Sequence, residues 1–226
     1  MFFVILIVFA ALGFFVQNRL KSKFKKYSEI GISTGMSGRE MALQMLHDNG
    51  IFDVEVKSVP GQLTDHYNPT DKTINLSPEV YSGRSIAAAA VAAHECGHAV
   101  QHAKAYAPLT MRSKMVPIVN VASRMFNMIM IASLILGSIL HNLPMMGLFV
   151  VGTYAIITAF SLITLPVEYD ASNRALAWLE NNNITQAEEH VMAKDALKWA
   201  ARTYLVQALA TVVTLLYFIM RMYGRD

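Results

Sequence analysis

His94-Glu95-Cys96-Gly97-His98 sets two imidazoles four residues apart with a carboxylate between them. On a helix the two histidines fall on one face, one turn apart, and present their rings to a common point. That spacing suits one Zn²⁺ ion. Glu95 stands beside such an ion without binding it, where it can take a proton from water that zinc has made acidic and pass it to a leaving amine. The chemistry implied is metal-assisted hydrolysis of a peptide bond. The bland alternative is a buried helix with two incidental histidines. Against it, the motif lies mid-helix among small residues (Ala92, Ala93, Cys96, Gly97, Ala99) that permit close packing.

A catalytic zinc site needs a third protein ligand and an open fourth position. His102, four residues beyond His98, stands about 12 Å along the helix axis from His94, too far for three residues to share one ion. It remains a candidate polar or proton-handling group in the cleft. The pattern His-Glu-x-x-His-x-x-Gly-x-x-His fails as well, because Gln101 and Lys104 occupy its glycine and last histidine. The third ligand must come from elsewhere, and Glu168 fits best: it directly follows a long apolar run that returns the chain to the side of the histidines. Asp170 is the second choice of ligand, or else the carboxylate that orients a liganding histidine. A competing reading makes Glu168 and Asp170 the acidic first turn of a helix, favoured there by its dipole.

Weaker candidates surround these. His66 and Tyr67, in the loop of the strand region, line the cleft or merely sit on a wet surface. Arg84 and Arg174 are placed to pair with carboxylates near the metal. The strand around Thr73 to Ser77 offers an edge for an extended substrate. Cys96 is small packing, and His47, His141 and His190 look incidental.

The elements that must position these residues follow from composition. Of 226 residues, 54% are hydrophobic and 15% charged, against about 45–50% and 25% in soluble domains. The chain therefore reads as one modest soluble unit plus several membrane spans. The single cysteine excludes an intrachain disulfide and a Cys-rich zinc site, and the basic residues flank apolar runs, which argues against a nucleic-acid surface. Met1 to Val16 is uninterrupted apolar sequence followed by Arg19, Lys21, Lys23, Lys25 and Lys26; this order suits an uncleaved anchor with its N-terminus outside. Pro117–Leu140 and Met145–Val167 form a hairpin of spans around the short loop His141-Asn142-Leu143-Pro144, and Tyr204–Met220 is a last apolar run, read as a span.

Between the first two spans the sequence predicts a folded unit. Ser37-Gly38-Arg39-Glu40 has the form of a capping box, and Asn49-Gly50 stops the helix it starts. Val54, Val56 and Val59, then Ile74 and Leu76, suggest a hairpin or two-strand element, and the alanine-rich Ser85–His102 a helix. Residues 168–202 read as one or two helices interrupted near Asn181-Asn182-Asn183. Of nineteen Lys and Arg, twelve lie between Arg19 and Lys114 and four between Arg174 and Arg202. The positive-inside rule then places 19–115 and 168–203 together in the cytoplasm. The expected organisation is an anchor at 1–20, a catalytic region at 21–115, a membrane hairpin at 116–167, a helical segment with the third ligand at 168–203, and a membrane helix and tail at 204–226.

Several separate stretches also resemble one family: Leu63-Thr64-Asp65-His66-Tyr67-Asn68, Asn75-Leu76-Ser77-Pro78-Glu79-Val80-Tyr81-Ser82-Gly83-Arg84-Ser85, Ala93-His94-Glu95-Cys96-Gly97-His98-Ala99 and Leu165-Pro166-Val167-Glu168-Tyr169-Asp170-Ala171-Ser172. Together they are similar to the YugP-like bacterial membrane zinc metallopeptidases, over most of the chain. The resemblance implies neutral zinc peptidase activity in a bacterial inner membrane, with no particular substrate. More distantly the chain is similar to membrane gluzincins of the HtpX and CAAX prenyl protease type, which follow a later span with Glu-x-x-x-Asp. Carried over, that resemblance implies His94, His98 and Glu168 as ligands and Glu95 as base. Ser172 stands where the pattern has its aspartate, so Asp170 takes over the orienting role or the site lacks it.

The expectation is a mainly α integral membrane protein with about four transmembrane helices, a gluzincin-like zinc-binding helical domain and a small β element. Its partners are a membrane-associated polypeptide substrate and the lipid bilayer. Two rivals stay open: a catalytically inactive zinc-binding partner or regulatory protein, and a non-peptidase metal hydrolase, for instance one acting on lipids.

Overall fold

Among the described residues of the computed structural model, four helices are long and apolar enough to cross a membrane. The structure describes residues 2–136 and 144–224; the expected loop at His141-Asn142-Leu143, with its histidine, and the C-terminal Arg225 lie outside the described residues. In chain order the elements are α1 (Phe2–Ser28), α2 (Gly38–Asp48), β1 (Glu55–Ser58), β2 (His66–Asn68), β3 (Thr73–Leu76), α3 (Pro78–Tyr81), α4 (Ile86–Ala103), α5 (Ala107–Leu136), α6 (Pro144–Asn181) and α7 (Ala187–Tyr223). The chain is a mainly α membrane protein with a small sheet.

The long helices do two jobs each. A 38-residue α6 is about 57 Å long and a 37-residue α7 about 55 Å, well beyond the ~30 Å hydrocarbon layer. Their apolar parts, 145–167 and 204–220, carry outward Leu148, Phe149, Leu216 and Met220, all exposed, as a lipid-facing surface requires. Their polar parts, 168–181 and 187–203, extend the same helices beyond the apolar runs, in α6 past Pro166, which has no N–H to donate. The sequence boundaries at 115, 167 and 203 thus fall inside continuous helices α5, α6 and α7. Glu168 lies well inside α6, so it is no helix N-terminus and the dipole explanation of the acidic pair does not hold.

The rest of the fold is built around α4. Its alanines at 87–90, 92 and 93 are fully buried, and side chains this small let α2, α6, α7 and the sheet all close on one helix. Met41, Met45, Leu46, Ile74, Leu76, Ile86 and Leu179 complete the core at 0–2% exposure. The capping box forms as the sequence predicts: Ser37 Oγ accepts from the Glu40 N–H, while Glu40 accepts from the Ser37 N–H at 2.7 Å. Gly50 follows the helix at φ +69°. Polar ties fasten the ends: Trp178 Nε1 donates to Asp48 at 2.9 Å, and Tyr27 and Lys23 on α1 both bind Asp195 on α7 at 2.7 Å.

The β element departs from expectation. It is a three-stranded sheet of order β1-β3-β2, with β1 parallel to β3 and β2 antiparallel to it. The additional strand, His66–Asn68, was expected to be loop; three polar and aromatic residues among turn formers carry no alternation, and only pairing with β3 makes them a strand. β3 is consequently central, bonded on both sides, so Thr73–Ser77 offers no edge to a substrate. The edge nearest α4 belongs to β2.

Candidate metal centre

Ser85 caps α4, its Oγ accepting from the Ala88 N–H at 3.2 Å. The helix then runs without a break through the motif, and the rings of His94 and His98 stand edge to face with centroids 4.8 Å apart. α6 crosses α4 directly behind them. A Cβ built on Gly97 would lie 2.5 Å from the Ala171 carbonyl oxygen, so glycine is the residue that permits this approach. One turn before that contact, α6 delivers Glu168. Its Oε2 lies 3.4 Å from His94 Nε2 and 3.6 Å from His98 Nε2, and the three donor atoms all fall within 4.8 Å of one another.

The arrangement fits a metal ion. Ligand atoms about 2.0–2.1 Å from a tetrahedral zinc stand roughly 3.3–3.4 Å apart, close to the distances seen. The hydrogen bonding is consistent with one. His98 Nδ1 lies 3.0 Å from Gln101 Oε1, while Gln101 Nε2 donates to the Val167 carbonyl at 2.8 Å and to Asp170 Oδ2 at 2.7 Å. Those two partners only accept, which assigns the amide and makes His98 Nδ1 the protonated nitrogen. Its Nε2 is thereby aimed at a carboxylate oxygen, a pairing that either a metal cation between the two or a proton on Nε2 satisfies. Burial opposes charge on His98, but the hydrogen bond and attraction of Glu168 outweigh it and raise the imidazole pKa above its ordinary value. Among the described residues this His, His, Glu group is the one cluster of metal-ligand geometry. Ser172 Oγ lies 3.1 Å from His94 Nδ1, a contact with a candidate ligand that the sequence reading did not expect of it.

Glu168 is 2% exposed, a costly place for a carboxylate without compensation. Its second oxygen, Oε1, meets Arg112 Nη1 at 3.2 Å. Arg112, on the first turns of α5, escaped the sequence reading because no spacing or motif connects it to the histidines. Gln101 was noticed only for breaking a pattern, although it sits three residues after His98 on the same helix face. Tyr204, which also lines the site, carried no signal beyond starting an apolar run.

The remaining candidates sort by position. Glu95 is 7% exposed and its Oε2 accepts the backbone N–H of Tyr67 at 2.9 Å. The Tyr67 phenol, pushed up to about 12 by burial and then by Asp53, lies 2.7 Å from His102 Nδ1. His102 is thus a neighbour of the cleft strand and stands outside the donor group. Asp170 is also outside that group; it is held by Arg174 at 2.6 Å and reaches His98 only through Gln101. Arg84 does not approach the metal site. It pairs with Glu40 at 3.3 Å, since it precedes α4 at the end remote from the histidines. Cys96 is buried, with its thiol pushed up by that burial and by Glu95.

Two cavities meet at the donor group. One, of about 260 Å³, is lined by His66, Tyr67, Arg112, Phe160 and the motif residues. The other, of about 230 Å³, opens towards Gln17, Leu20 and Phe24 of α1 and Ala196, Ala200 and Ala201 of α7. Both are lined by Asp65, His94, Glu95, Glu168 and Tyr204. The cleft thus passes across the site, with residues of the apolar helices α1 and α6 in its walls.

The profile of a family described as "Putative neutral zinc metallopeptidase" matches residues 2–223. A relative in Bacillus subtilis (strain 168), named "Putative membrane protease YugP", is 41% identical over 225 residues, which covers 98% of each chain. No solved structure matches.

Proposed function

This chain belongs to the neutral zinc metallopeptidase family, and on that premise we propose that it hydrolyses peptide bonds of membrane or membrane-proximal polypeptides at the α4–α6 crossing. The observation that carries the reading is the convergence of His94, His98 and Glu168 in a cleft that continues on both sides. These three residues hold the zinc, a gluzincin-like set that leaves one position open. When bound, zinc acidifies a water and polarises the scissile carbonyl. Glu95 is the general base: the Tyr67 N–H occupies its Oε2, which leaves Oε1 to receive the proton of the attacking water and return it to the leaving amine. Arg112 holds Glu168 Oε1 and so turns Oε2 towards the imidazoles.

The distribution of Lys and Arg supports a cytoplasmic catalytic side in a bacterial inner membrane. Cleft walls built from α1 and α6 support substrates that approach at the membrane surface.

The test uses the full chain in nanodiscs with casein and with a membrane-protein substrate, with and without a chelator. Glu95→Gln keeps an acceptor for Tyr67 and all three zinc ligands, so it retains wild-type zinc content while proteolysis falls at least about 10²–10⁴-fold. Cleavage by Glu95→Gln at the wild-type rate, or wild-type cleavage that survives complete metal removal, overturns the reading. Lipid hydrolysis without proteolysis overturns the substrate class.

A further inference from the structure

Gln101 is 0% exposed, and a buried amide needs partners for both its ends. Every partner it has belongs to the metal centre or to its support. Oε1 meets His98 Nδ1 at 3.0 Å, and Nε2 donates to Val167 O at 2.8 Å and to Asp170 Oδ2 at 2.7 Å. Asp170 is in turn gripped by Arg174 through Nε at 2.6 Å and Nη2 at 3.3 Å. An unbroken line of hydrogen bonds therefore runs Arg174–Asp170–Gln101–His98, from the second turn after Glu168 back to a candidate ligand.

We propose that Gln101 is a positioning residue for the metal: it fixes the tautomer and ring orientation of His98 and connects that histidine to Asp170, which has no direct contact with it. The inference rests on the reading of His94, His98 and Glu168 as zinc ligands. Histidine ligands generally donate their other N–H to a carboxylate or carbonyl, which raises their basicity and fixes the ring. Here the acceptor is an amide, and the ionised group sits one residue further out. Asp170 polarises the amide by accepting from Nε2, which strengthens Oε1 as an acceptor for the imidazole N–H. The same bonds tie α4 to α6 beside the Gly97–Ala171 contact, so the ligand on one helix is oriented from the helix that carries another.

The experiment measures zinc affinity by chelator competition on the full chain in detergent, alongside the melting temperature of the metal-free protein. Gln101→Leu keeps the volume and removes both hydrogen-bonding ends; zinc affinity is expected to fall about 10–100-fold. Gln101→Glu keeps an acceptor for His98 Nδ1 but loses the donor to the Val167 carbonyl and to Asp170; the metal-free melting temperature is expected to fall at least as far as in Gln101→Leu, while zinc affinity falls less. A merely structural role for Gln101 predicts instead that zinc affinity follows the melting temperature across the two variants. Wild-type zinc affinity in Gln101→Leu, or zinc affinities of the two variants that simply follow their melting temperatures, overturns the inference. Absence of zinc binding by the wild-type chain overturns instead the ligand assignment on which it rests.

Discussion

Replacing Gly97 by alanine adds one methyl group at the point where α4 and α6 are closest. That Cβ would lie 2.5 Å from the Ala171 carbonyl oxygen and 3.0 Å from its carbonyl carbon and Cα, about 0.9 Å inside the 3.4 Å at which ordinary contact begins. The opposing atoms are backbone, so no rotamer relieves the clash and the helices themselves must part. Overpacking of this kind costs about 1–3 kcal/mol. The gain in helix propensity on exchanging Gly for Ala offsets about 1 kcal/mol of it. Net destabilisation should therefore be about 0–2 kcal/mol, and the larger consequence is geometric. Glu168 stands one turn from the contact, and a shift approaching 1 Å exceeds the tolerance of roughly ±0.2 Å in metal–ligand distances. Gly97→Ala should thus keep its helical circular dichroism and melt no more than about 8 °C lower, while zinc affinity falls tenfold or more. Gly97→Val should extend both effects. Competition titration against a chromophoric chelator, with melting curves of the metal-free and zinc-loaded forms, reads both quantities. Wild-type zinc affinity in Gly97→Ala would refute the claim that this crossing sets the ligand geometry.

Arg112→Met removes the cation from Glu168 Oε1, 3.2 Å away, and leaves a buried carboxylate free to rotate; zinc affinity should drop about 10–100-fold, and an unchanged affinity in the same titration would remove Arg112 from the site. The tie between α1 and α7 should depend on pH. Burial alone would raise the Asp195 pKa, but the hydrogen bonds from Lys23 and Tyr27 outweigh it and hold it below the ordinary carboxylate value, while the Asp195 hydrogen bond holds Lys23 above its own. The Asp195 contribution is therefore present above about pH 4 and lost as pH falls through the lower native value, and the Lys23 contribution fades only as pH rises past about 10.4. With both side chains partly exposed the pair contributes less than about 1 kcal/mol. Hydrogen-exchange protection factors at the polar end of α1 should fall below about pH 4 in the wild type, and Asp195→Asn should abolish that acid dependence.

The sequence by itself determined those features that depend on local spacing. The capping box at Ser37 and Glu40, the helix through His94 and His98, the four apolar runs and the exclusion of His102 all follow from helix periodicity, capping chemistry or bilayer thickness. Glu168 was legible for a different reason, because a membrane span constrains where the chain returns. What the sequence left open required contacts between distant segments. β2 exists only because β3 lies beside it, and that pairing moves the free edge from Thr73–Ser77 to His66–Asn68. Arg112 enters the site through the packing of α5, which no pattern in its neighbourhood announces. Asp170 and Gln101 are 69 residues apart, and their partnership exists only at the crossing that Gly97 permits. Spacing along one helix thus supplied the two histidines and Glu95, and the returning apolar run supplied Glu168, whereas the cation beside Glu168 and the orientation of His98 were decided by which backbones could come close enough to touch.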